Sequence, residues 1–302
     1  MSSSDSPPLH APSACESSLA VSGLSAAQIA SFERDGFLLL PGFYTAEAML
    51  QLSTAIESMI AGWSGSAAGG VFTTDEQARK DDAYFLGSGD AIRPFLEASA
   101  AGAAPSAANL NKVGHALHEL APAFHAATMT PAVAAVCRSL GYAAPAVVQS
   151  MFIFKAARAG AAVAPHVDGA FLRTTPQSVL GFWVPLERCH LANGCLWAVP
   201  GSHRARGGKC RRVFRRAQGG GTEFSPPEPE EFDRAGAVAL EVPAGTLVLL
   251  HHALVHWSEA NASEESRHAY TWHVLETGKG SAYPAENWLQ RSDGGPFPCR
   301  LY

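Results

Sequence analysis

Hydrophobic positions change their spacing partway along the chain. In the first half, apolar residues recur every three or four positions. Met49, Leu52, Ile56 and Met59 form one such stripe, and that spacing predicts an amphipathic helix. Thr45 stands at its start, and Glu47 puts a negative charge in the first turn, where the helix dipole favours one. An earlier helix is predicted from the capping residue Ser25 through Asp35, with Gly36 as its stop. Phe37–Leu40 then reads as a short strand. Thr130-Pro131 joins a capping residue to a proline at the first helical position. Val133, Val136, Cys137 and Leu140 line the face of the helix it opens, and Gly141 ends it.

Beyond residue 145 the pattern becomes that of strands. Residues 146–154, 179–187, 195–199, 239–242, 246–251 and 269–276 are short runs rich in Val, Leu, Phe and Trp, separated by turn signals. Asn193-Gly194 signals a tight hairpin, and Pro200-Gly201 a further turn. Helices first and many short strands afterwards predict a β-sandwich or jelly roll with helices packed outside it. Residues 1–21, rich in Ser, Pro and Ala, read as a mobile tail, and residues 64–70 as a Gly/Ser/Ala loop. Residues 22–302 then make one domain, in which 204–236 read as an inserted loop. It carries seven basic residues from Arg204 to Arg216, then Gly219–Gly221 and an acidic run.

The 302 residues are 47% apolar, enough for a sizeable core. A formal net charge of -5 argues against a general nucleic-acid binder. Six cysteines show no C-x-x-C spacing, and no basic patch followed by an apolar run opens the chain. The expectation is an intracellular, cytoplasmic protein with reduced thiols. No apolar run approaches the roughly 20 residues of a membrane span.

His166-Val167-Asp168 places an imidazole and a carboxylate two residues apart. In an extended segment both point to one face and reach one ion. His256, just after the run 246–251, is the candidate third ligand. Two histidines and one carboxylate make the facial triad of non-haem iron(II) oxygenases. A His-x-Asp alone arises often by chance, and a histidine at a strand end is commonly a surface or capping residue. Arg267, eleven residues after His256, adds weight. The turn-forming Asn261-Ala262-Ser263 between them predicts a hairpin that brings Arg267 to the metal cavity. A planar guanidinium can grip a carboxylate through two hydrogen bonds. Ser258, two residues past His256, shares its strand face and can donate to the same group.

These residues, with several others, resemble the phytanoyl-CoA dioxygenase family. The likeness runs from about Phe32 to Tyr302. It rests on Phe32-Glu33-Arg34-Asp35-Gly36-Phe37, Pro165-His166-Val167-Asp168, Asn193-Gly194-Cys195-Leu196-Trp197, Pro200-Gly201-Ser202-His203, His256-Trp257-Ser258 with Arg267, and Glu286-Asn287-Trp288-Leu289-Gln290. It is closest to the subgroup of phytanoyl-CoA dioxygenase domain-containing proteins. The resemblance implies a double-stranded β-helix, iron(II) held by His166, Asp168 and His256, and 2-oxoglutarate held by Arg267 and Ser258. It adds Lys112, Met151 and Trp183 as further contacts to 2-oxoglutarate. From the residues alone, Lys112 reads equally as a surface lysine, and Met151 and Trp183 as core side chains. Dioxygen would be the oxidant and ascorbate the supporting reductant.

The implied reaction is oxidative decarboxylation of 2-oxoglutarate to succinate, coupled to hydroxylation of a small molecule, with anionic or acyl compounds among the candidates. Relatives that halogenate replace the carboxylate ligand with a small residue, whereas Asp168 is retained here. His252 stands where relatives often have glycine, either crowding the pocket or capping the strand. Phe152, Phe154, Phe171, Phe182 and Trp197 are candidates for an apolar substrate pocket, with core packing as the alternative. The Arg204–Arg216 run is a candidate anion site, or else a solvated charged face. Three further functions compete. A metal- and 2-oxoglutarate-binding sensor without turnover keeps the same ligands. A zinc hydrolase leaves Arg267 without a role. An anion-binding module built on the basic run conflicts with the overall acidity.

Overall fold

The computed structural model describes residues 23–63, 70–71, 83–278 and 280–302. The tail predicted for residues 1–21, and the loop predicted at 64–70 apart from Gly70, lie outside them. The first helix, α1 (Ala26–Asp35), starts where a reciprocal pair of hydrogen bonds satisfies its end. The Ser25 hydroxyl accepts from Gln28 N–H at 3.3 Å, and Gln28 Oε1 accepts from Ser25 N–H at 2.8 Å. Such a box caps two otherwise orphaned donors. Gly36, at φ 82°, ends the helix in the left-handed conformation, and β1 (Phe37–Leu40) follows. Helix α2 (Ala46–Trp63) buries Met49, Leu52 and Ile56 of the predicted stripe, with Met59 partly buried against the same core. Short pieces come next: β2 (Gly70–Val71), α3 (Ala83–Leu86), β3 (Ile92–Leu96), β4 (Leu110–His115), α4 (Leu117–Leu120) and α5 (Pro122–Thr128). In α6 (Pro131–Ser139) the Thr130 hydroxyl caps Val133 N–H at 3.1 Å.

The remaining strands are β5 (Pro145–Ile153), β6 (Val163–His166), β7 (Leu180–Pro185), β8 (Leu196–Ala198), β9 (Val213–Arg216), β10 (Thr222–Ser225), β11 (Val238–Leu240), β12 (Leu247–His251), β13 (His256–Ser258) and β14 (Ala269–Glu276). They form an eight-stranded sheet in the order β1-β12-β7-β14-β5-β4-β3-β2 and a four-stranded sheet in the order β11-β8-β13-β6. Strand alternation divides the large sheet's side chains into two sets. Phe152, Phe182, Tyr270 and Trp272 pack with Leu52 and Phe124 of the helices. Their chain neighbours Met151, Trp183, Thr271 and His273 point the other way, into a cavity. Trp183, Val248 and Leu250 of the large sheet share a second core with Leu196 and Leu240 of the small one. The architecture is a double-stranded β-helix with helices outside it.

Two expectations need correction. The strands flanking Asn193-Gly194 do not form a hairpin, because β7 and β8 belong to different sheets. The chain crosses between layers through a 3-10 turn, Leu191–Asn193, and Gly194 at φ 78°. The segment 204–236 is not a bare loop, since β9 and β10 pair within it as an antiparallel ribbon. Three of its basic side chains are engaged within the protein. Arg215 pairs with Glu223, Arg216 donates to the carbonyls of Trp288 and Leu86, and Arg212 donates to those of Pro226 and Pro227. Arg204, Lys209 and Arg211 remain exposed. Among the described residues no helix is long and apolar enough to cross a membrane.

His118 gives the fold a measurable pH dependence. It is 1% exposed, and its backbone N–H and Nδ1 both meet the Ser150 hydroxyl, at 3.0 and 2.8 Å. Burial lowers its pKa from 6.5 to about 3. Below pH 6.5 the unfolded chain takes up a proton that the folded chain refuses, so stability falls as pH drops towards 3. This residue contributes up to about 1.4 kcal/mol per pH unit. His118→Asn should flatten the decline of melting temperature between pH 6.5 and 4; an undiminished slope would contradict the assignment.

Candidate metal centre and its cavity

Two short strands bring the histidines together. In the antiparallel pairing of β6 with β13, His166 lies directly opposite His256, and their ring centroids are 4.2 Å apart. Each ring is oriented by its own strand. His166 Nδ1 donates to the Ala164 carbonyl at 2.9 Å, and His256 Nδ1 to that of Leu254 at 3.0 Å. With the proton on Nδ1, each Nε2 carries a lone pair, the arrangement a metal-binding imidazole requires. Val167 is extended, at φ -127° and ψ 134°, so Asp168 returns to the face of His166. A 3-10 turn, Asp168–Ala170, then carries the chain away, held by Gly169 N–H to the His252 carbonyl at 2.8 Å. Asp168 Oδ1 sits 3.7 Å from His166 Nε2 and 3.6 Å from His256 Nε2. One donor atom from each of the three residues lies within 4.8 Å of the others, close enough to share an ion.

The electrostatics suit a cation. Burial and the neighbouring His256 lower the His166 pKa to about 4, so this ring is neutral near pH 7. Burial alone would raise the Asp168 pKa. The imidazoles of His256, His273 and His166 outweigh it and hold the carboxyl well below the usual range.

The three residues stand at the wall of a cavity of about 410 Å³, which Arg267, Ser258, Lys112, Met151 and Trp183 also line. Strand register explains this meeting. Met151, Thr271 and Trp183 are consecutive partners across β5, β14 and β7 and form one row on the inner face. Arg267 precedes β14 and is 1% exposed. Its Nε donates to the Gly194 carbonyl at 3.1 Å, and its guanidinium lies 5.3 Å from the Trp183 ring centroid. Nη1 is buried without a hydrogen-bond partner. Burial lowers the Arg267 pKa, yet a guanidinium stays charged. Among the described residues, no carboxylate pairs with it. A buried cation without a paired anion is costly, and an anionic ligand would offset that cost. Ser258 lies two residues past His256, buried at the same wall. Lys112 is buried, its ammonium 5.4 and 5.7 Å from the rings of Phe95 and Phe85, so the surface-lysine alternative falls away.

The expected hairpin between the strands of His256 and Arg267 does not form. β13 pairs with β6 and β8, whereas β14 pairs with β5 and β7. Arg267 reaches the cavity because the two sheets face one another across it. Of the five aromatics read as pocket candidates, Phe154 and Phe171 line the cavity. Phe152 and Phe182 adjoin the lining residues Met151 and Trp183, and alternation sends them to the helix-side core. Trp197 stacks on Trp257 at 6.0 Å. The aromatic wall is instead Phe85, Phe171, Phe224 and Trp288, with Trp288 stacked on Phe85 at 4.3 Å. His252 Nε2 donates to the Gly208 carbonyl at 3.0 Å, so its ring secures a turn and does not crowd the pocket.

Sequence reading missed two polar residues at the cavity. Lys155 Nζ donates to the carbonyls of Ala161 and Glu259 at 2.8 and 2.7 Å, and burial together with Arg267 lowers its pKa to about 7. It follows the predicted strand 146–154 with nothing to set it apart. His273 lies 3.4 Å, through Nε2, from Asp168 Oδ2. Its six-residue spacing from Arg267 in an alternating strand was the signal that would have found it.

A jelly roll with two histidines and one carboxylate at one cavity wall is the combination used by non-haem iron(II) oxygenases. The family model for phytanoyl-CoA dioxygenase (PhyH) matches residues 32–269, and the chain belongs to that family. It is 42% identical over 288 residues to phytanoyl-CoA dioxygenase domain-containing protein 1 of Bos taurus, covering 91% of this chain and 98% of that one. It is 37% identical over 270 residues to the phytanoyl-CoA dioxygenase of Arabidopsis thaliana, covering 88% and 93%. Among solved structures it is similar to SnoK, a non-heme alpha ketoglutarate dependent carbocyclase from nogalamycin biosynthesis. That match has a TM-score of 0.59 at 18% identity over 87% of each chain. EctD from S. alaskensis, solved with 2-oxoglutarate and 5-hydroxyectoine, matches at a TM-score of 0.57 and 20% identity, covering 91% of this chain and 89% of that one. At these identities the structural likeness concerns the fold.

Manganese(II), followed by electron paramagnetic resonance as it is titrated in, should bind at one site per chain. His166→Ala and Asp168→Ala each remove a ligand. Both should weaken binding by more than the ~10–100-fold typical of losing an outer-shell partner. Unchanged affinity in either variant would reject the metal centre.

Proposed function

We propose that the protein is an iron(II)- and 2-oxoglutarate-dependent dioxygenase that hydroxylates a C–H bond of a small molecule. The observation that carries this reading is the buried guanidinium of Arg267, with Nη1 unpartnered, lining the same cavity as the His166–Asp168–His256 cluster. One end of the cavity asks for a cation and the other for an anion. A keto acid with a distal carboxylate satisfies both: a metal ion held by the cluster can accept its keto-acid head, and Arg267 with Ser258 its tail. The donor set fits iron(II), with two imidazole nitrogens and one carboxylate oxygen.

Each residue has a definable task. The carbonyls of Ala164 and Leu254 keep the two Nε2 lone pairs aimed at the metal position. Asp168, ionised, supplies the single negative charge of the cluster. Trp183 packs beside the Arg267 guanidinium, and Met151 and Thr271 continue that wall. Lys112 adds a second positive charge along the cavity. Phe85, Phe171, Phe224 and Trp288 line the rest with apolar surface, suited to holding a substrate C–H bond and excluding water. Iron(II) bound here supplies the oxidising chemistry, in which 2-oxoglutarate, dioxygen and R–H yield succinate, carbon dioxide and R–OH. One atom of dioxygen ends in succinate and the other in the hydroxyl.

The test is succinate formation from 2-oxoglutarate by the purified protein with iron(II) and ascorbate, against an EDTA control. Metal-dependent succinate is expected. No succinate from metal-loaded, folded protein across a panel of small apolar substrates would favour a metal- and keto-acid-binding sensor instead. Arg267→Ala should weaken 2-oxoglutarate binding by roughly 30-fold or more, since losing one partner of a buried charge pair costs about 2–5 kcal/mol. Manganese affinity should hold in that variant. A change confined to the metal would refute the anchor.

A further inference from the structure

Asp168 presents its two carboxylate oxygens to different surroundings. Oδ1 faces the two histidine Nε2 atoms at 3.6 and 3.7 Å. Oδ2 is buried, makes no hydrogen bond of normal geometry, and faces His273 Nε2 at 3.4 Å. Across the β14–β7 pairing, the residue opposite His273 is Gly181. A Cβ on Gly181 would stand 2.8 Å from Asp168 Oδ2 and 3.2 Å from Leu250 Cβ. No side chain fits there while the carboxylate keeps its place. Gly181 has no positive φ, so space and not backbone freedom is what the glycine supplies.

His273 is itself an unusual occupant of this wall. It is 7% exposed, and its Nδ1 has no hydrogen-bond partner among the described residues. Among the described residues, its one close polar contact is Asp168. An apolar side chain would fill the position without burying an unpaired nitrogen, which carries a cost. His273 and Arg267 also share one face of the β14 run, six residues apart. The segment that runs from Arg267 into β14 thus carries the contact to the carboxylate ligand as well.

We propose that His273 and Gly181 form a seat that holds Oδ2 away from the metal, so that Asp168 offers it one oxygen only. This rests on the metal centre of the preceding section. His273 is a positioning residue: it acts through Asp168. A carboxylate free to swing would close on the ion with both oxygens and occupy a coordination position that the keto acid and dioxygen need.

The experiment compares wild type, His273→Ala and His273→Gln by manganese(II) titration and by the visible spectrum of the cobalt(II)-substituted protein, whose band intensity reports coordination number. His273→Ala is expected to weaken manganese binding by ~10–100-fold and to lower the cobalt band intensity as coordination number rises. His273→Gln, which keeps an N–H donor near the position of Nε2, is expected to restore most of both. Melting of the metal-free proteins confirms that each variant is folded; a purely structural role would leave the cobalt spectrum of folded variants unmoved. Wild-type affinity and spectrum in a folded His273→Ala would overturn the seat alone. A wild type that binds no metal would overturn the metal centre and the seat with it.

Discussion

The site depends on one cross-strand register. β6 and β13 are only four and three residues long, yet their pairing sets His166 opposite His256. A slip of one residue would turn one imidazole to the other face of the sheet and separate the rings. The register is held from both sides, because β13 also pairs with β8 along its whole length. Asp168 then follows from local geometry, one extended residue and one 3-10 turn beyond His166. The three candidate ligands thus come from two adjacent stretches of backbone, and neither needs a long loop to be ordered.

The second constraint is electrostatic. The cavity joins a cluster that gathers one negative charge on Asp168 to a wall holding Arg267, with Lys112 and Lys155 also along its lining. Burial makes each of these groups expensive alone. The cluster can hold a cation, Arg267 has no carboxylate partner among the described residues, and the proposed keto dicarboxylate would join the two. The aromatic wall of Phe85, Phe171, Phe224 and Trp288 provides the remaining, apolar part of the lining, where the reacting molecule would lie.

Much of this was legible in the chain. The helical stripe of α2, the caps at Ser25 and Thr130, and the strand β14 were readable because local spacing and capping chemistry agreed with the tertiary structure. The pair His166 and Asp168 was readable because a two-residue spacing in extended chain is a strong geometric statement. Strands β3 and β4 were not: Pro94 interrupts one, and Asn111, Lys112 and His115 give the other a polar look although Lys112, Val113 and His115 are buried. Sheet membership was equally hidden. Asn193-Gly194 carries a hairpin signal, but tertiary packing sends its flanking strands to different sheets. The engagement of Arg212, Arg215 and Arg216 depends on carbonyls and a carboxylate supplied by other segments, which no local pattern reveals. His273 was legible in principle, since alternation from Arg267 leads straight to it.

The central claim is that one molecule spans the metal cluster and Arg267. Calorimetric titration of anaerobic, iron(II)-loaded protein with 2-oxoglutarate, 2-oxobutyrate and glutarate tests it most directly. 2-Oxobutyrate keeps the keto-acid head without the distal carboxylate, and glutarate keeps both carboxylates without the keto group. The account predicts that 2-oxoglutarate binds at least about tenfold more tightly than either, a difference of ~1.4 kcal/mol or more. Equal affinity for all three would contradict it, because the two ends of the cavity would then not be reading one ligand.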